Sequence, residues 1–502
     1  MSNKKRWLIT LVVLITIVVI SVGITLNQQA ETGDITILAV SDGAGGVIIA
    51  WKNNEGIYAQ RVDSAGQTLW RNGGVFVIQN PDGGWQGTRF NLTSGGLAGA
   101  FLTWADRRDL LDDRDDPDYY NPTPVYTQRI DADGNLLWGK GILTSVIKRA
   151  MVYSLPQVIP DGTGGAIIAW NDYKPYYGNL SDDYLRVTKL GPYGNPLWDP
   201  NGTLIVASSP YPDVDEEERK STAVRPRPTY EGRHQGLVDD GSGGAIIYWE
   251  EETGTNTFRA LAQRVDANGK LVWPDAVQVD SGRGYCPESA VSDGFGGAFI
   301  IFHLNESNSV RIHHILNNGE IGHSTLLTDH YMTNIISDAS GGIIIPRYQS
   351  GELPQDHSSS LYLRRLDKDG NVLWPEDALV YTEEKPLSQA LYITDDGTGG
   401  VIVTWTEWQG SEIPGKAYTQ SKVFTQRVDS GGNSLWTENG VEVFTSPDFL
   451  LQGFAGAVND GSGGTIIFVA LREKSNRGDM VYVQRLSAEG NILWRDGIRI
   501  DR

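Results

Sequence analysis

The chain repeats two short phrases eight times, and this repetition constrains its fold more than any other feature. The first phrase is Asp-Gly-x-Gly-Gly followed by an apolar run, as in residues 42–51. The second is Gln-Arg-x-Asp-x-x-Gly-x-x-Leu-Trp, as in residues 60–70. Self-similarity at a regular period is typical of solenoids and propellers. Copies of the first phrase begin at Asp42, Gly95 (a degenerate copy), Asp161, Asp240, Asp293, Asp338, Asp396 and Asp460.

Each copy predicts four short strands. A β-prone stretch precedes the first phrase, and the glycines of that phrase supply the positive φ angles that a tight hairpin needs. The apolar run after it predicts a strand that is covered on both faces. A third strand alternates in character, Asp-x-x-Gly closes a second hairpin, and the Leu-Trp pair is predicted to form the fourth strand.

Eight such sheets cover one another when they stack radially, face to face. The sequence therefore predicts an all-β fold, an eight-bladed β-propeller of four-stranded blades, over residues 35–502. Two alternatives stay open. A linear solenoid would need polar caps, which the first and last copies lack. Seven blades are the other possibility, because the fifth copy is short and has His323 where the others have tryptophan.

The N-terminal segment predicts a membrane anchor. Lys4, Lys5 and Arg6 precede an uncharged stretch between Trp7 and Leu26 that is long enough to cross a bilayer as a helix. The charge distribution predicts a cytoplasmic tail (1–6), a transmembrane signal-anchor (7–26) and a linker (27–34). The propeller would then lie on the extracytoplasmic side of the cell membrane, held by a single span. A cleaved signal peptide is the alternative.

The net charge argues against nucleic-acid binding, and the cysteine content excludes an intrachain disulfide. A formal net charge of −20 argues against nucleic-acid binding, which requires a basic surface. Cys286 is the only cysteine, so no intrachain disulfide can form.

The repeats resemble those of secreted and surface-anchored bacterial β-propeller proteins. More distantly, the Asp-Ala-Asp-Gly-Asn-Leu-Leu-Trp of residues 131–138 resembles the tryptophan-docking motif of quinoprotein-type eight-bladed propellers. That wider group implies the fold, and it includes both quinone-dependent dehydrogenases and non-catalytic binding propellers. The adjacent cysteine pair of quinoprotein alcohol dehydrogenases is absent here, and the turn spacing differs from the Ser-x-Asp-x-Gly-x-Thr-Trp box of sialidases. No cofactor is therefore expected from the resemblance.

Recurring polar residues are predicted to be structural. The repeated arginines would pair with hairpin aspartates or stack on tryptophans, with an anion-binding ring as the alternative. The turn aspartates would cap their own turns, because the loops lack the later glutamate of a calcium loop. These residues are Arg61, Arg129, Arg264, Arg364, Arg365, Arg427 and Arg485, and Asp63, Asp131, Asp266, Asp367 and Asp429.

Departures from the repeat are the candidates for function. His303, His313, His314, His323 and His330 cluster in the fifth copy, where divergence of the blade is favoured over a metal site. An insert at 106–121 carries a cluster of five aspartates between positions 112 and 118 that could bind calcium, with a solvated loop as the alternative. Inserts at 208–235 and 408–423 are predicted to reach the rim, the latter with Trp408 and Tyr418. The calcium candidates are Asp112, Asp113, Asp115, Asp116 and Asp118.

These features predict a non-catalytic binding or scaffold module that contacts a protein or glycan partner through loops at the rim. No residue is assigned a catalytic role, and calcium is the one metal considered. The alternative is a polysaccharide hydrolase or lyase that uses carboxylates in the central channel.

Overall fold

A computed structural model describes most of the chain from residue 36 onward. The described ranges are 36–79, 90–96, 98–106, 124–144, 155–175, 181–208, 235–254, 257–283, 285–304, 309–328, 331–350, 359–383, 387–409, 420–444, 449–473, 479–495 and 497–501.

Within the described residues, thirty-two strands form eight four-stranded sheets, so the predicted eight blades are confirmed. Blades 1 to 4 comprise β1 (Thr36–Ser41), β2 (Val47–Lys52), β3 (Gly56–Val62), β4 (Val75–Gln79); β5 (Phe90–Ser94), β6 (Ala100–Ala105), β7 (Val125–Ile130), β8 (Ile142–Leu143); β9 (Gln157–Pro160), β10 (Ala166–Pro175), β11 (Ser181–Leu190), β12 (Thr203–Ser208); and β13 (Gln235–Asp239), β14 (Ala245–Gly254), β15 (Thr257–Val265), β16 (Val277–Arg283). Blades 5 to 8 comprise β17 (Tyr285–Ser292), β18 (Ala298–Leu304), β19 (Ser309–Ile315), β20 (Ile321–Leu327); β21 (Ile336–Ser337), β22 (Ile343–Ser350), β23 (Ser359–Leu366), β24 (Ala378–Glu383); β25 (Leu387–Asp395), β26 (Val401–Gln409), β27 (Gln420–Val428), β28 (Val441–Phe444); and β29 (Phe449–Asn459), β30 (Thr465–Glu473), β31 (Asp479–Leu486), β32 (Ile498–Arg499).

Within each blade the strands are antiparallel and follow one another in sequence order. The first and third connections of a blade therefore lie at one end of its sheet, which we call the turn face. The second connection and the link to the next blade lie at the other end, which we call the loop face. The first connection spans five residues in every blade, such as 42–46, whereas loop-face connections range from one residue (284) to the segment 209–234.

Apolar second strands hold the blades together. Ile48 and Ile49 in β2 point to opposite faces of the sheet, and both are fully buried. Ile48 packs in a cluster shared with blade 2, and Ile49 packs in a cluster shared with blade 8. A strand covered on both faces is what the continuous apolar run predicts.

The blades close into a ring. The first strands of successive blades contact one another in order, and β29 of the last blade contacts β1 of the first. A linear solenoid is therefore excluded. The N-terminal blade consists wholly of β1–β4 and the C-terminal blade wholly of β29–β32, so no sheet is shared between the two ends.

One predicted strand is placed differently in the structure, and one predicted segment lies outside the described residues. The Leu-Trp pair does not form the fourth strand: β4 begins at Val75, after Trp70, because the tryptophan leaves the sheet to contact the next blade. The predicted tail, transmembrane span and linker (1–34) lie outside the described residues. Within the described part of the chain, no helix is long and apolar enough to cross a membrane.

Candidate functional site

The turn face is built from one ion pair repeated around the ring. In blade 1 the Asp42 carboxylate accepts the backbone N–H groups of Ala44 and Gly46 through Oδ1, at 2.8 and 2.7 Å. Its Oδ2 accepts Nε and Nη2 of Arg61, both at 2.9 Å. A Cβ at Gly46 would lie 2.2 Å from the Val62 carbonyl oxygen, which explains the glycine. The same pairing joins Asp240 to Arg264, Asp338 to Arg365, Asp396 to Arg427 and Asp460 to Arg485.

Arginine and tryptophan then join each blade to the next. Arg61 Nη1 and Trp70 Nε1 both donate to the carbonyl oxygen of Ala132, in the third connection of blade 2. Gly134 lies under the indole, where a Cβ would be 2.7 Å from Trp70 Cγ. This contact is the tryptophan docking that the motif at 131–138 predicted. The carbonyls that accept a docking indole in the other blades belong to Pro192, Ala267, Asn317, Ser430, Ala488 and Ser64.

The predicted pairing of arginine with the hairpin aspartate is confirmed in these five blades. These guanidinium groups therefore stabilise the contacts between successive blades, which we call joints. Arg129 has no hairpin aspartate, because Gly95 replaces it, but it still donates to the Pro192 carbonyl at 2.9 Å. A buried glutamine precedes these arginines except in blade 6, where Arg364 takes its place: Gln60 Oε1, for example, accepts the N–H groups of Arg61 and Trp70. The repeat consensus is therefore occupied in holding the ring together.

The turn aspartates cap their own turns, as predicted. Asp131 Oδ1 accepts the N–H groups of Asp133 and Asn135 at 3.0 and 2.8 Å. Burial acts to raise the pKa of Asp131, but hydrogen bonds from Asn135, Asp133 and Gly134 hold it below the ordinary value. The same bonding occurs at Asp63, Asp266, Asp367 and Asp429.

The histidines of blade 5 separate as predicted. His313 contacts Ser324 Oγ at 2.7 Å and Asp280 Oδ2 at 3.2 Å, whereas His314 contacts Asp293 Oδ2 at 3.0 Å. They thus face opposite sides of β19. Across the described ranges, no group of three or more histidine, cysteine or acidic side chains could hold a metal ion. His330 lies outside those ranges, and Cys286 lies on β17.

Blade 6 replaces an aromatic contact by an ionic one. In blades 1, 2, 3 and 7 a second-strand tryptophan packs over a glycine, as Trp405 does over Gly440, where a Cβ would lie 2.7 Å from the indole. In blade 6 these two positions hold Arg347 and Asp377, and Arg364 binds the same carboxylate at 2.6 and 3.0 Å. The Arg347–Asp377 ion pair occupies the place of the tryptophan and the glycine, so we interpret this substitution as structural.

The channel wall offers few charged groups. On the described first strands, Glu288 is the one exposed acidic side chain. It sits where the pairing of β17 with β18 shifts register between Pro287 and Ser289. Bulges of this kind often re-aim a side chain near a functional site. Tyr248 lies close by, over Gly236, and burial together with the Glu288 charge raises its pKa.

Two other acids stand at the turn-face ends of first strands. Burial raises the pKa of Asp239 and of Asp395, and the charge of the adjacent hairpin aspartate adds to this in both. Asp395 accepts a hydrogen bond from Asn459 Nδ2 at 2.8 Å, across the joint to blade 8. Each carboxylate also accepts the N–H of its own turn glycine, so both have structural partners.

The loop face carries buried acids that sequence reasoning missed. Glu250 and Glu407 lie in the loop-face halves of their second strands, Asp106 lies just beyond the end of β6, and all three are 1–2 % exposed. The Tyr381 hydroxyl of blade 6 donates to Glu407 Oε1 of blade 7 at 3.1 Å. Their sequence signal is an acidic residue one or two positions after the second-strand tryptophan, as in Trp249-Glu250. They form the base from which the second connections of these blades extend.

The inserts predicted from the sequence join strands at the loop face. The acidic insert joins β6 to β7 and the insert at 209–234 joins β12 to β13, so both extend from the loop face. Trp408 lies on β26, and Tyr418 falls outside the described residues. The calcium candidates Asp112, Asp113, Asp115, Asp116 and Asp118 fall outside them too, and calcium binding by this insert stays a prediction.

Comparison with solved structures concerns the fold only. A puromycin hydrolase superposes with a TM-score of 0.40 at 11% identity over 91% of this chain and 57% of that one. Prolyl oligopeptidase B from Galerina marginata gives 0.42 at 11% over 81% of this chain and 51% of that one. The chain therefore spans little more than half the length of these two proteins.

Enzymes of other classes superpose at similar levels. A mutant of the Synechocystis apocarotenoid oxygenase gives a TM-score of 0.34 at 10% identity, over 74% of this chain and 84% of that one. Likenesses at this level carry no argument about activity. No protein-family model and no curated protein matches the sequence. The structure itself establishes an eight-bladed β-propeller of four-stranded blades.

Proposed function

We propose that the protein is a membrane-tethered, extracytoplasmic propeller that binds a protein or glycan partner through its loop face, without catalysis of its own. The observation that carries this proposal is the unequal distribution of connections between the two faces. Every first connection on the turn face has five residues, whereas loop-face connections vary from one residue to the segment 209–234. Recognition on a rigid scaffold usually resides in such irregular loops.

The polar chemistry of the turn face supports the same assignment by elimination. Its repeated aspartate, arginine and tryptophan side chains are occupied in joining blades, as at Asp42, Arg61 and Trp70. The inserts at 107–123 and 410–419 instead follow second strands that have a buried acid near the loop face, such as Glu407. Loops on fixed anchors present a surface at low entropic cost.

The direction of β1 indicates which face of the propeller the proposed tether would join. β1 begins at Thr36 and runs toward the turn at 42–46, so the chain enters the propeller at the loop face. A span at 7–26 would therefore hold the loop face toward the bilayer, with residues 27–35 between them. Nine extended residues reach roughly 30 Å at most. The partner of the proposed module would then lie on or near the membrane surface.

N-terminal sequencing of the mature protein from isolated membranes tests the tether. A chain that retains residues 7–26 supports the proposal, and a mature chain that starts near residue 30 contradicts it. Partition into the detergent phase should be lost when residues 1–34 are removed.

Binding is tested with a panel of purified cell-wall polysaccharides and membrane-surface glycans on the immobilised propeller. The test variant replaces 209–234 by a short Gly-Ser linker, and a second variant does the same at 107–123. The matched control is Tyr193→Ser, which alters a side chain 90% exposed in a turn-face connection. We expect a loop variant to lose binding and the control to keep it. A ligand bound equally by both loop variants but lost in the control would contradict the proposal.

One observation favours the alternative enzyme. Glu288 is exposed on the first strand of blade 5 at a register shift, as a channel carboxylate of a polysaccharide hydrolase or lyase would be. Hydrolysis normally needs a second carboxyl group within about 10 Å. Turnover of the same polysaccharide panel, abolished by Glu288→Gln, would establish the enzyme and overturn the binding module.

A further inference from the structure

The joint between blades 5 and 6 differs chemically from the other seven. At those joints, a side chain that carries a permanent positive charge at neutral pH donates to a backbone carbonyl in the next blade. At the joint from blade 5 to blade 6 this position is His314, which contacts the Lys368 carbonyl oxygen at 2.9 Å. The seven permanent cations are Arg61, Arg129, Lys189, Arg264, Arg365, Arg427 and Arg485.

Both ring nitrogens of His314 face acceptors. Nδ1 lies 2.9 Å from the carbonyl oxygen of Lys368, and Nε2 lies 3.0 Å from Oδ2 of Asp293. A carbonyl oxygen and an ionised carboxylate can only accept hydrogen bonds, and an imidazole donates from both nitrogens only when it is protonated. The observed arrangement is therefore satisfied by the imidazolium form.

The Asp293 carboxylate is ionised in this arrangement. Burial acts to raise its pKa, but hydrogen bonds from His314, Phe295 and Gly297 hold the pKa below the ordinary value. The imidazole is 4% exposed and stacks on the Phe299 ring at 4.2 Å. Water therefore has little access to replace a lost hydrogen bond.

Other charged groups surround the pair without replacing it. His323 lies directly opposite His314 on β20, and Lys368 of blade 6 turns its ammonium to Asp369 at 2.8 Å. The remaining neighbours are Asp367, which caps the turn that contains Lys368, and Arg264 of blade 4, which lies against Gly296 on the other side of the Asp293 turn. His313 points away, toward Asp280 and Arg311.

The same joint also lacks the docking tryptophan. His323 occupies that position and lies against Gly370, where the other blades place an indole over the equivalent glycine. The Lys368 carbonyl therefore has no indole donor to hold it when its bond to His314 weakens. This makes the histidine contact more important here than the equivalent contact elsewhere.

We propose that the contact between blades 5 and 6 is a pH-sensitive joint, tight while His314 carries both ring protons and looser once the second proton is lost to solvent. Deprotonation leaves one ring nitrogen as a lone pair that faces an acceptor. Histidine is the side chain that ordinarily changes charge between pH 5 and 8. The arginine and lysine joints keep their charge well above that range.

The sign of the pH dependence follows from the two partners. A contact that requires the imidazolium is present at low pH and is lost when the ring gives up its second proton at higher pH. The Asp293 contribution has the opposite sign, because its lowered pKa gives stability that is lost as pH falls through that pKa. The joint is therefore tightest in mildly acidic solution.

Hydrogen–deuterium exchange of the intact protein at pH 6 and pH 8, corrected for the intrinsic exchange rate, tests the proposal. We expect backbone amides of 293–297 and 367–371 to lose roughly tenfold in protection at pH 8, the size of one hydrogen bond to a charged group. The equivalent turns 396–400 of blade 7 and 487–491 of blade 8, which Arg427 joins, serve as an internal reference and should not change.

Two consensus variants sharpen the test. His314→Arg and His314→Lys install the cations found at the other joints, and each should abolish the difference between pH 6 and pH 8. His313→Gln restores the consensus at the neighbouring position and should keep the difference. The proposal is overturned if the wild-type protein shows no change, or if the change persists in the His314 variants.

A direct measurement covers the case in which these variants fold poorly. In the wild-type protein with ¹⁵N-labelled histidine, both ring nitrogens of His314 should resonate as protonated nitrogens at pH 6. A neutral tautomer of His314 at pH 6 would overturn the proposal regardless of the variants.

Discussion

The turn face and the loop face of the ring are made from the same strands but use them differently. On the turn face, Asp42 and its six counterparts are buried beside a basic side chain, and the side chains repeat with the blades. On the loop face, the acids Asp106, Glu250 and Glu407 occur in single blades, and the connections differ in length from blade to blade. The comparison teaches that repetition marks the residues that hold the blades together, and irregularity marks the surface left for function.

The largest expected effect is on the turn face. Asp396→Ala removes the carboxylate that pairs with Arg427 and accepts the N–H groups of Thr398 and Gly400. A broken buried ion pair leaves an uncompensated charge and costs about 3–5 kcal/mol. We expect a clear fall in the midpoint of urea unfolding. Glu442→Ala, which removes the partly exposed ion pair to Lys422 in the same blade, should cost about 1 kcal/mol or less. Equal losses would contradict the special role of the turn face.

A smaller difference in stability is expected between substitutions of the docking tryptophans and of the second-strand tryptophans. Trp374→Phe keeps a ring but loses the hydrogen bond from Nε1 to the Ser430 carbonyl, 2.9 Å long. In the described part of the chain, the indole N–H of Trp405 in blade 7 has no hydrogen-bond partner, so Trp405→Phe loses volume alone. We expect Trp374→Phe to cost about 1 kcal/mol more than Trp405→Phe in thermal unfolding. The reverse order would show that docking depends on packing only.

Much of this architecture could be predicted from the sequence. The blade count and the hairpins followed from Asp-Gly-x-Gly-Gly, because positive φ at residues such as Gly43 and Gly45 is a local property. The Leu-Trp pair was misassigned to a strand because its role depends on the next blade. Trp70 leaves the sheet only because the Ala132 carbonyl lies within reach, and this contact is invisible in the spacing of a single repeat.

The contribution of Asp395, at the turn-face end of β25, to stability should depend on pH in the opposite way to that of the hairpin aspartates whose pKa is lowered. The raised pKa of Asp395 means that ionisation is less favourable in the folded protein than in the unfolded chain. Its charge therefore subtracts stability above that pKa, and the penalty disappears as pH falls through it. Asp395→Asn keeps an acceptor for Gly397 and should stabilise the fold by less than about 1 kcal/mol at pH 7, with no gain in acid. Destabilisation at pH 7 would show that Asn459 needs the charge.

The smallest effect on stability is expected at the loop face. Replacing 410–419, between β26 and β27, by a Gly-Ser linker of half the length changes the closure entropy by only about 0.6 kcal/mol. The melting temperature should move by a degree or two. A large fall would show that this insert is part of the fold, and the contrast between the faces would then not hold for blade 7.

The candidate site was less predictable than the fold. The buried acids of the loop face were overlooked because an acidic residue after a strand usually reads as solvated, and burial of Glu407 depends on Tyr381 of the preceding blade. The histidines of blade 5 were correctly separated by strand alternation. Their partners were not foreseeable, since Asp280 comes from the outer strand of blade 4 and Lys368 from a turn in blade 6.

Closure without a shared sheet has a consequence for how the molecule is made. Seven joints link residues 44 to 71 positions apart, whereas the joint from blade 8 to blade 1 links residues 421 and 430 positions apart. During synthesis, each blade can dock on its predecessor soon after it emerges. The open flank of blade 1, with the Ser64 carbonyl that Arg485 and Trp494 will bind, has to wait for the last residues of the chain. Until then the nascent protein exposes one apolar sheet face at each end of an unclosed arc, and in that interval it is most prone to aggregate with another copy.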